Sequence, residues 1–209
     1  MLSAIEITEL HDHLTGVWHI AAAQATSGPS TAREADKWLS LVARQHRANF
    51  DLWHIEDEAR TPGISERELA EVKRRVDKTN QLRNDLAERL DRELLKWLAP
   101  RNLPKADAPL NSESPGLMID RLSILALKVY HTHEEVERKD GPTGHGKRNR
   151  ERLAILTEQR DDLANCIDSL WRDTLAGTRR FKLYRQMKMY NDGSLNPAVY
   201  RKLVKESGR

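Results

Sequence analysis

Apolar residues recur at intervals of three and four along five long segments of the chain, and breaks that contain Gly or Pro separate these segments. The breaks are SGPST at 27–31, TPG at 61–63, a Pro-rich stretch at 99–116 and DGPTGHG at 140–146. No stretch shows the sustained alternation that is typical of a strand. The pattern therefore predicts an all-α fold: an up-down bundle of about five long helices with a short C-terminal helical tail, forming a single domain over residues 1–209.

Several helix boundaries carry specific signals. Ser65 and Glu68 have the spacing of a capping box, which predicts the start of the third helix. Ser114 followed by Pro115 predicts the N-cap and the first residue of the fourth helix. Periodicity places the first, second and fifth helices at about residues 4–25, 32–60 and 147–175.

Polar residues interrupt the apolar stripes of these helices. In the second helix, His46, Asn49 and Glu56 continue the line that Leu39 and Val42 begin. Arg83 lies within the apolar stripe of the third helix, and charged residues interrupt the apolar run of the fourth. Buried charges need partners. The expected carboxylate partners are Glu56, Asp57 or Asp120 for Arg83, and Glu56, Asp57 or Asp85 for Arg121.

Two interpretations of these polar groups remain open. They form either a salt-bridge network that fixes the register of the helices or a polar pocket between the helices, where bundles bind ligands. Under the second interpretation, the second, third and fourth helices supply the ligand-binding candidates, which are His54, Glu56, Asp57, Asn80, Arg83, Asn84, Asp120, Arg121 and Lys128.

Charge is distributed unevenly along the chain. The net charge is +3, but residues 178–209 carry +7 and residues 1–177 carry −4. A basic tail that contains aromatic residues suits nucleic-acid binding. However, Phe181, Tyr184 and Met187 have the spacing of an amphipathic helix, and no known nucleic-acid-binding motif accompanies the charge. We therefore expect the tail to pack on the body of the protein.

Other functional classes lack their sequence signatures. No segment is long and apolar enough to span a membrane, and the N-terminus does not resemble a signal peptide, so we expect a cytoplasmic protein. The single cysteine, Cys166, excludes an intramolecular disulfide. The Glu-x-x-His, HExxH, P-loop and GxSxG motifs are absent. The sequence thus predicts no metal site and no cofactor, and the catalytic residues, if there are any, stay unknown.

Most of the polar residues fall within four longer motifs: NFDLWHIEDEAR at 49–60, VDKTNQLRNDLAERLD at 76–91, LNSESPGLMIDRLSILALKVYH at 110–131 and YRQMKMYND at 184–192. These motifs, together with HDHLTGVWH at 11–19, resemble those of a bacterial family known as domain of unknown function 4254. The motifs include most of the polar residues that interrupt the apolar stripes, which favours a pocket. The resemblance implies a role near glycosyltransferases in surface-polysaccharide gene clusters, but no activity.

Two functions from different classes follow. The first is an accessory or ligand-binding protein of surface-glycan biosynthesis, whose partner is a glycosyltransferase or a ligand of the sugar-phosphate type. The second is an enzyme acting on an anionic sugar or phosphorylated metabolite. In that enzyme, Arg83, Arg121 or Lys128 would hold the anion. The general acid or base would be Glu56, Asp57 or His54.

Overall fold

The structure is a computed structural model that describes residues 2–23, 37–187 and 194–197. These residues form five α-helices and one short 3-10 helix, and they contain no β-strand. The all-α prediction is confirmed, whereas the up-down order of the helices stays a prediction. The elements are α1 (Ala4–Ala23), α2 (Lys37–Glu58), α3 (Glu66–Leu98), a 3-10 turn (Ala99–Arg101), α4 (Pro115–Glu137) and α5 (His145–Leu175).

The predicted capping box is present at the start of α3. The Ser65 hydroxyl accepts a hydrogen bond from the Glu68 backbone N–H, and the Glu68 carboxylate accepts one from the Ser65 N–H at 3.0 Å. Together the two bonds satisfy two donors that the first turn of a helix would otherwise leave unpaired. The capping box therefore fixes where α3 begins.

The start of α4 is capped by another helix. Ser114 is the N-cap residue as predicted, but its hydroxyl donates to the Asp91 carboxylate of α3 and caps no N–H of its own helix. Asp91 accepts the Gly116 N–H at 2.7 Å instead. Burial raises the pKa of Asp91 to about 6, and its hydrogen bonds to Ser114 and Gly116 act in the opposite direction.

Gly116 allows α3 and α4 to approach each other closely. A Cβ atom at this position would lie 2.3 Å from the backbone oxygen of Ala87, a distance no side chain tolerates. The glycine is therefore required by the contact between the helices, and the contact brings the inward face of α4 against α3.

The apolar core lies between all five helices. Within it, α4 packs most extensively on α5, and α2 packs most extensively on α3. The largest apolar side chains that are almost completely buried belong to α1, α3, α4, α5 and the segment after α5: Ile7, Leu90, Leu94, Leu98, Ile119, Leu122, Leu127, Ile167 and Phe181. Three large polar side chains are buried to the same degree: His11, Gln45 and His46. No helix of the described residues is long and apolar enough to cross a membrane.

The segment after α5 packs on the body without forming a helix. Phe181 is 2% exposed, and Arg180 forms an isolated bridge with Leu110 and donates from its side chain to the Ala108 carbonyl at 2.7 Å. The amphipathic helix expected around residues 181–187 is wrong, because this stretch has no regular secondary structure. The segment is held on the body by backbone hydrogen bonds of Arg180 and by the buried ring of Phe181, and no amphipathic helical face is involved. The rest of the expected tail, residues 188–193 and 198–209, lies outside the described residues.

Candidate functional site

Asp120 of α4 is the centre of a buried polar network. Its Oδ1 accepts hydrogen bonds from the Gln45 side chain at 2.6 Å, the Asn49 side chain at 3.0 Å and Arg83 Nε at 2.8 Å, while its Oδ2 accepts from a terminal nitrogen of Arg83. The hydrogen bonds to Asp120 raise the pKa of Arg83. Asp120 is thus the partner of Arg83 among the three carboxylates that the sequence offered.

The network continues from Asp120 through His46. Asn49 also donates to the Ser123 hydroxyl at 2.9 Å, and that hydroxyl lies 2.7 Å from His46 Nδ1. On the other side of the ring, His46 Nε2 lies 2.9 Å from the Thr15 hydroxyl and 3.1 Å from the His11 carbonyl. Since Thr15 donates its own proton to that carbonyl, Nε2 carries the ring proton and Nδ1 accepts from Ser123.

Burial keeps both interior histidines neutral. It lowers the pKa of His46 to about 3, although the hydrogen bond to the His11 backbone partly opposes the effect. Burial also lowers the pKa of His11, whose ring stacks on His46 with the centroids 4.3 Å apart. We call this set of connected residues the central network; its members are Thr15, Gln45, His46, Asn49, Arg83, Asp120 and Ser123.

A solvent-open cleft of about 320 Å³ lies at one end of the central network, between α2, α3 and α4. Apolar side chains form part of its lining, Glu56, Asp57 and Arg60 carry its outer charges, and Arg83 reaches it from the network. Arg60 pairs with Glu56 at 3.0 Å, and both side chains are largely exposed. We call it the polar cleft; its lining is Asn49, Leu52, Trp53, Glu56, Asp57, Arg60, Arg83, Ile124 and Leu127.

The structure brings only part of the sequence-predicted site together. Three of the candidates line the polar cleft: Glu56, Asp57 and Arg83. Asp120 does not line the cleft, but its carboxylate pairs with the Arg83 guanidinium. Asn80 and Asn84 are half-buried on α3 and do not line it.

The expected pairing of Arg121 with Glu56, Asp57 or Asp85 is wrong. Arg121 is exposed and pairs at 2.6 Å with Glu113, which lies just before α4. With Lys128, it lines a separate groove between α4 and α5. Adjacent helical residues point about 100° apart, so the helix that turns Asp120 inward turns Arg121 away.

His54 belongs to a second cluster, with His19 of α1 and His131 of α4. One ring nitrogen of each histidine lies within 4.8 Å of a ring nitrogen of both others. Trp53, which lines the polar cleft, stacks on His131 with the centroids 4.8 Å apart, so the cluster adjoins the cleft. Burial lowers the pKa of His19, and its hydrogen bond to the Thr15 carbonyl acts in the opposite direction. We call these three residues the histidine triad.

Several residues of these clusters have little or no signal in the sequence. Three of them are uncharged polar residues: Thr15, Gln45 and Ser123. A pattern of hydrophobic and charged positions does not indicate whether such residues are buried or exposed. Ser123 carried a weak signal, since it follows Asp120 by three residues within an apolar run and so shares its helical face. His19 carried none, because it meets His54 and His131 only through tertiary packing.

The fold and the site together define a class of protein: an all-helical bundle with a connected polar interior that opens into a cleft. Residues 39–183 match the profile of a family described as protein of unknown function, DUF4254, and the chain belongs to this family. No curated protein and no solved structure matches the chain significantly. The resemblance found in the motifs is thereby confirmed, and it brings no assigned activity.

Proposed function

We propose that this protein binds a ligand with both anionic and hydroxyl groups, of the sugar-phosphate type, in the polar cleft. The observation that carries this proposal is the fixed guanidinium of Arg83 on the wall of the cleft. Two hydrogen bonds to Asp120 hold it in place, and its side chain keeps 22% of its accessible surface. A pre-positioned guanidinium with remaining donors suits a phosphate or carboxylate.

The rest of the cleft lining fits a polyhydroxylated ligand. Trp53, Ile124 and Leu127 offer apolar surface, and the carboxylates of Glu56 and Asp57 are acceptors for hydroxyl protons. Arg60 adds a second cation at the rim, where it is held only by an exposed pair with Glu56. A hexose phosphate has the anionic group, the hydroxyl groups and the apolar ring face that this lining would recognise.

Binding is favoured over covalent catalysis by the residue types in the cleft. Its lining contains no His, Ser, Thr, Cys, Lys or Tyr among the described residues, so no hydroxyl, thiol or amine nucleophile lies beside a base there. Together with the resemblance to a family found beside glycosyltransferases, this supports a cytoplasmic accessory or ligand-binding role in bacterial surface-glycan biosynthesis.

A thermal-shift and calorimetric screen tests the ligand class. The probes are inorganic phosphate, a hexose 1-phosphate and a nucleoside-diphosphate hexose, with the neutral hexose as the negative control. A ligand present at 100 times its Kd adds about 2.7 kcal/mol to the free energy of unfolding. We expect the phosphorylated sugars to raise Tm and the neutral hexose to leave it unchanged.

Matched arginine variants locate the binding. Arg60→Gln removes a cleft cation that pairs with a glutamate four residues earlier, and Arg67→Gln removes an exposed arginine that pairs with Glu71, four residues later, outside the cleft. We expect Arg60→Gln to weaken binding about tenfold, the loss of one charge-assisted contact, and Arg67→Gln to have no effect. Equal effects of both variants, or no binding by any probe, would refute the proposal.

The biological role has its own test. In the native cell, Glu56→Ala and Arg83→Ala should reduce the amount of surface glycan while the protein remains folded. Unchanged glycan with both folded variants would mean that the polar interior only fixes helix register.

A further inference from the structure

We propose that the histidine triad is a binding site for one divalent transition-metal ion, with zinc as the best-matched metal. His19, His54 and His131 come from three different helices, and their nearest ring nitrogens all lie within 4.8 Å of one another. Imidazole nitrogen is a preferred ligand of zinc, copper, nickel and iron. This inference is independent of the sugar-phosphate proposal, because it concerns different side chains and a different kind of ligand.

Hydrogen bonds to the protein set the tautomer of two of the histidines. His19 Nδ1 lies 2.7 Å from the Thr15 carbonyl oxygen, and His54 Nδ1 lies 2.8 Å from the Phe50 carbonyl oxygen. A carbonyl can only accept, so Nδ1 carries the proton in both rings and each Nε2 has a free lone pair. This is the arrangement in which proteins hold metal-binding histidines: one ring nitrogen donates to an oxygen and the other faces the metal.

The third histidine has the same arrangement with a carboxylate. His131 Nδ1 lies 2.9 Å from Glu134 Oε2 on the next turn of α4. A carboxylate behind the ring orients the imidazole and makes the opposite nitrogen a stronger ligand. Glu134 is therefore a positioning residue for His131 in this site.

Two of the three Nε2 atoms have no partner. Those of His19 and His131 are buried and make no hydrogen bond within the described part of the chain. Buried polar atoms without a partner are uncommon in native proteins and call for an explanation such as an ion. A metal ion bound by the triad would satisfy both atoms at once.

Aromatic packing limits the motion of the rings. Tyr130 stacks on His19 with an interplanar angle of 18°, and Trp53 stacks on His131 with an angle of 9°. In a tetrahedral zinc site with bonds of about 2.0–2.1 Å, the ligand nitrogens lie about 3.4 Å apart. The nitrogens lie within 4.8 Å of one another, so each pair needs to approach by at most about 1.4 Å, which is within reach of side-chain rotations.

Three protein ligands would leave one coordination position open. Sites with three protein ligands bind water or substrate in the fourth position, in contrast to closed four-ligand structural sites. Because Trp53 touches His131 and also lines the polar cleft, an open position here would lie near the cleft.

Metal titration of the full-length protein tests the site directly. Protein freed of metal by chelator dialysis is titrated with Zn²⁺ in a calorimeter, and Co²⁺ is added to a second sample for visible absorption. We expect one equivalent of Zn²⁺ to bind, the melting temperature to rise, and Co²⁺ to give the intense spectrum of a tetrahedral nitrogen site. The cobalt spectrum of the unmodified protein depends on no variant that could misfold.

Single variants assign the ligands. His54→Gln and His131→Gln should each weaken Zn²⁺ binding by more than about 100-fold, which is the upper range for loss of a residue that only supports a ligand. His133→Gln, an exposed histidine on the same helix as His131, is the matched control and should bind as the parent does. Glu134→Gln should weaken binding by about 10- to 100-fold, as expected for a positioning residue.

Four results would overturn the proposal. Two concern the unmodified protein: the absence of saturable binding near one equivalent, and an octahedral cobalt spectrum. The other two concern the variants: a loss of affinity in His133→Gln equal to that in His54→Gln, and parent-like affinity in both His54→Gln and His131→Gln. Because no sugar phosphate is present in these titrations, their result is independent of the ligand screen of the polar cleft.

Discussion

Removing Arg83 should lower the free energy of unfolding more than neutralising its partner Asp120. Arg83→Met leaves the Asp120 carboxylate, whose side chain is 9% exposed, with only the Gln45 and Asn49 amides as donors. Breaking a buried ion pair in this way costs about 3–5 kcal/mol. We expect about 3 kcal/mol, at the lower end of that range, because two amide donors remain.

The opposite variant, Asp120→Asn, should cost less. The amide oxygen of the new side chain can replace Oδ1 and keep its three donors, so the main loss is the bond from the Arg83 terminal nitrogen to Oδ2. A hydrogen bond to a charged group contributes about 1.5–3 kcal/mol, and we expect a cost of about 2 kcal/mol. In this variant Arg83 can turn toward the solvent of the polar cleft. In Arg83→Met, by contrast, the Asp120 carboxylate stays buried.

A double-mutant cycle measures the interaction itself. Urea unfolding followed by circular dichroism gives the free energies of the parent, both single variants and the double variant. If the pair interacts as described, Arg83→Met should cost only about 1 kcal/mol when Asp120→Asn is already in place, which corresponds to a coupling of about 2 kcal/mol. The exposed Arg67 is the control, and Arg67→Met should change stability by less than about 0.5 kcal/mol. A coupling below about 0.5 kcal/mol would refute the reasoning.

Three further predictions concern stability. The pKa of His46 is lowered in the folded state to about 3, so between pH 6.5 and pH 3 only the unfolded chain binds the extra proton. The free energy of unfolding should therefore fall by up to about 5 kcal/mol as the pH drops from 6.5 to 3. Urea titrations at several pH values measure this slope, and His46→Gln should flatten it. Gly116→Ala should destabilise by about 1–3 kcal/mol because its Cβ would strike a backbone oxygen, whereas Gly16→Ala, in an open position within α1, should stabilise by about 0.5–1 kcal/mol; melting temperatures that move in the same direction would contradict this contrast. Phe181→Ala should cost about 3 kcal/mol in chemical unfolding if the segment after α5 is part of the core, and a cost near zero would show that it is not.

The sequence predicted the helices well because their signals are local. Apolar periodicity and the Ser65 capping box depend on residues within one or two turns of each other, and they located the helices to within a few residues over the described parts of the chain. The same local reasoning named Asp120 as one of three partners for Arg83. It could not choose among the three, since that choice depends on how α3 and α4 are oriented.

Site residues were harder to predict because they depend on the direction in which each helix points its side chains and on packing between helices that are distant in sequence. Arg121 was expected inside because it follows Asp120 directly, yet one step along a helix turns the side chain by about 100°. His19 was not recognised because its partners lie on α2 and α4, far away in sequence. Spacing along the sequence reveals metal-ligand motifs within a single helix, whereas the histidine triad takes one histidine from each of three helices.

The direction of the hydrogen bonds in the central network has a consequence for how this sequence can evolve. Each proton is used once, in the order Asn49 to Ser123, Ser123 to His46, and His46 to the hydroxyl of Thr15. Changing a single member leaves its neighbours with two donors or two acceptors facing each other. The next residue in the network then has a buried polar group without a partner, which lowers the stability of the protein. Relatives should therefore exchange these residues as correlated sets, with a change at one position accompanied by a matching change at the next.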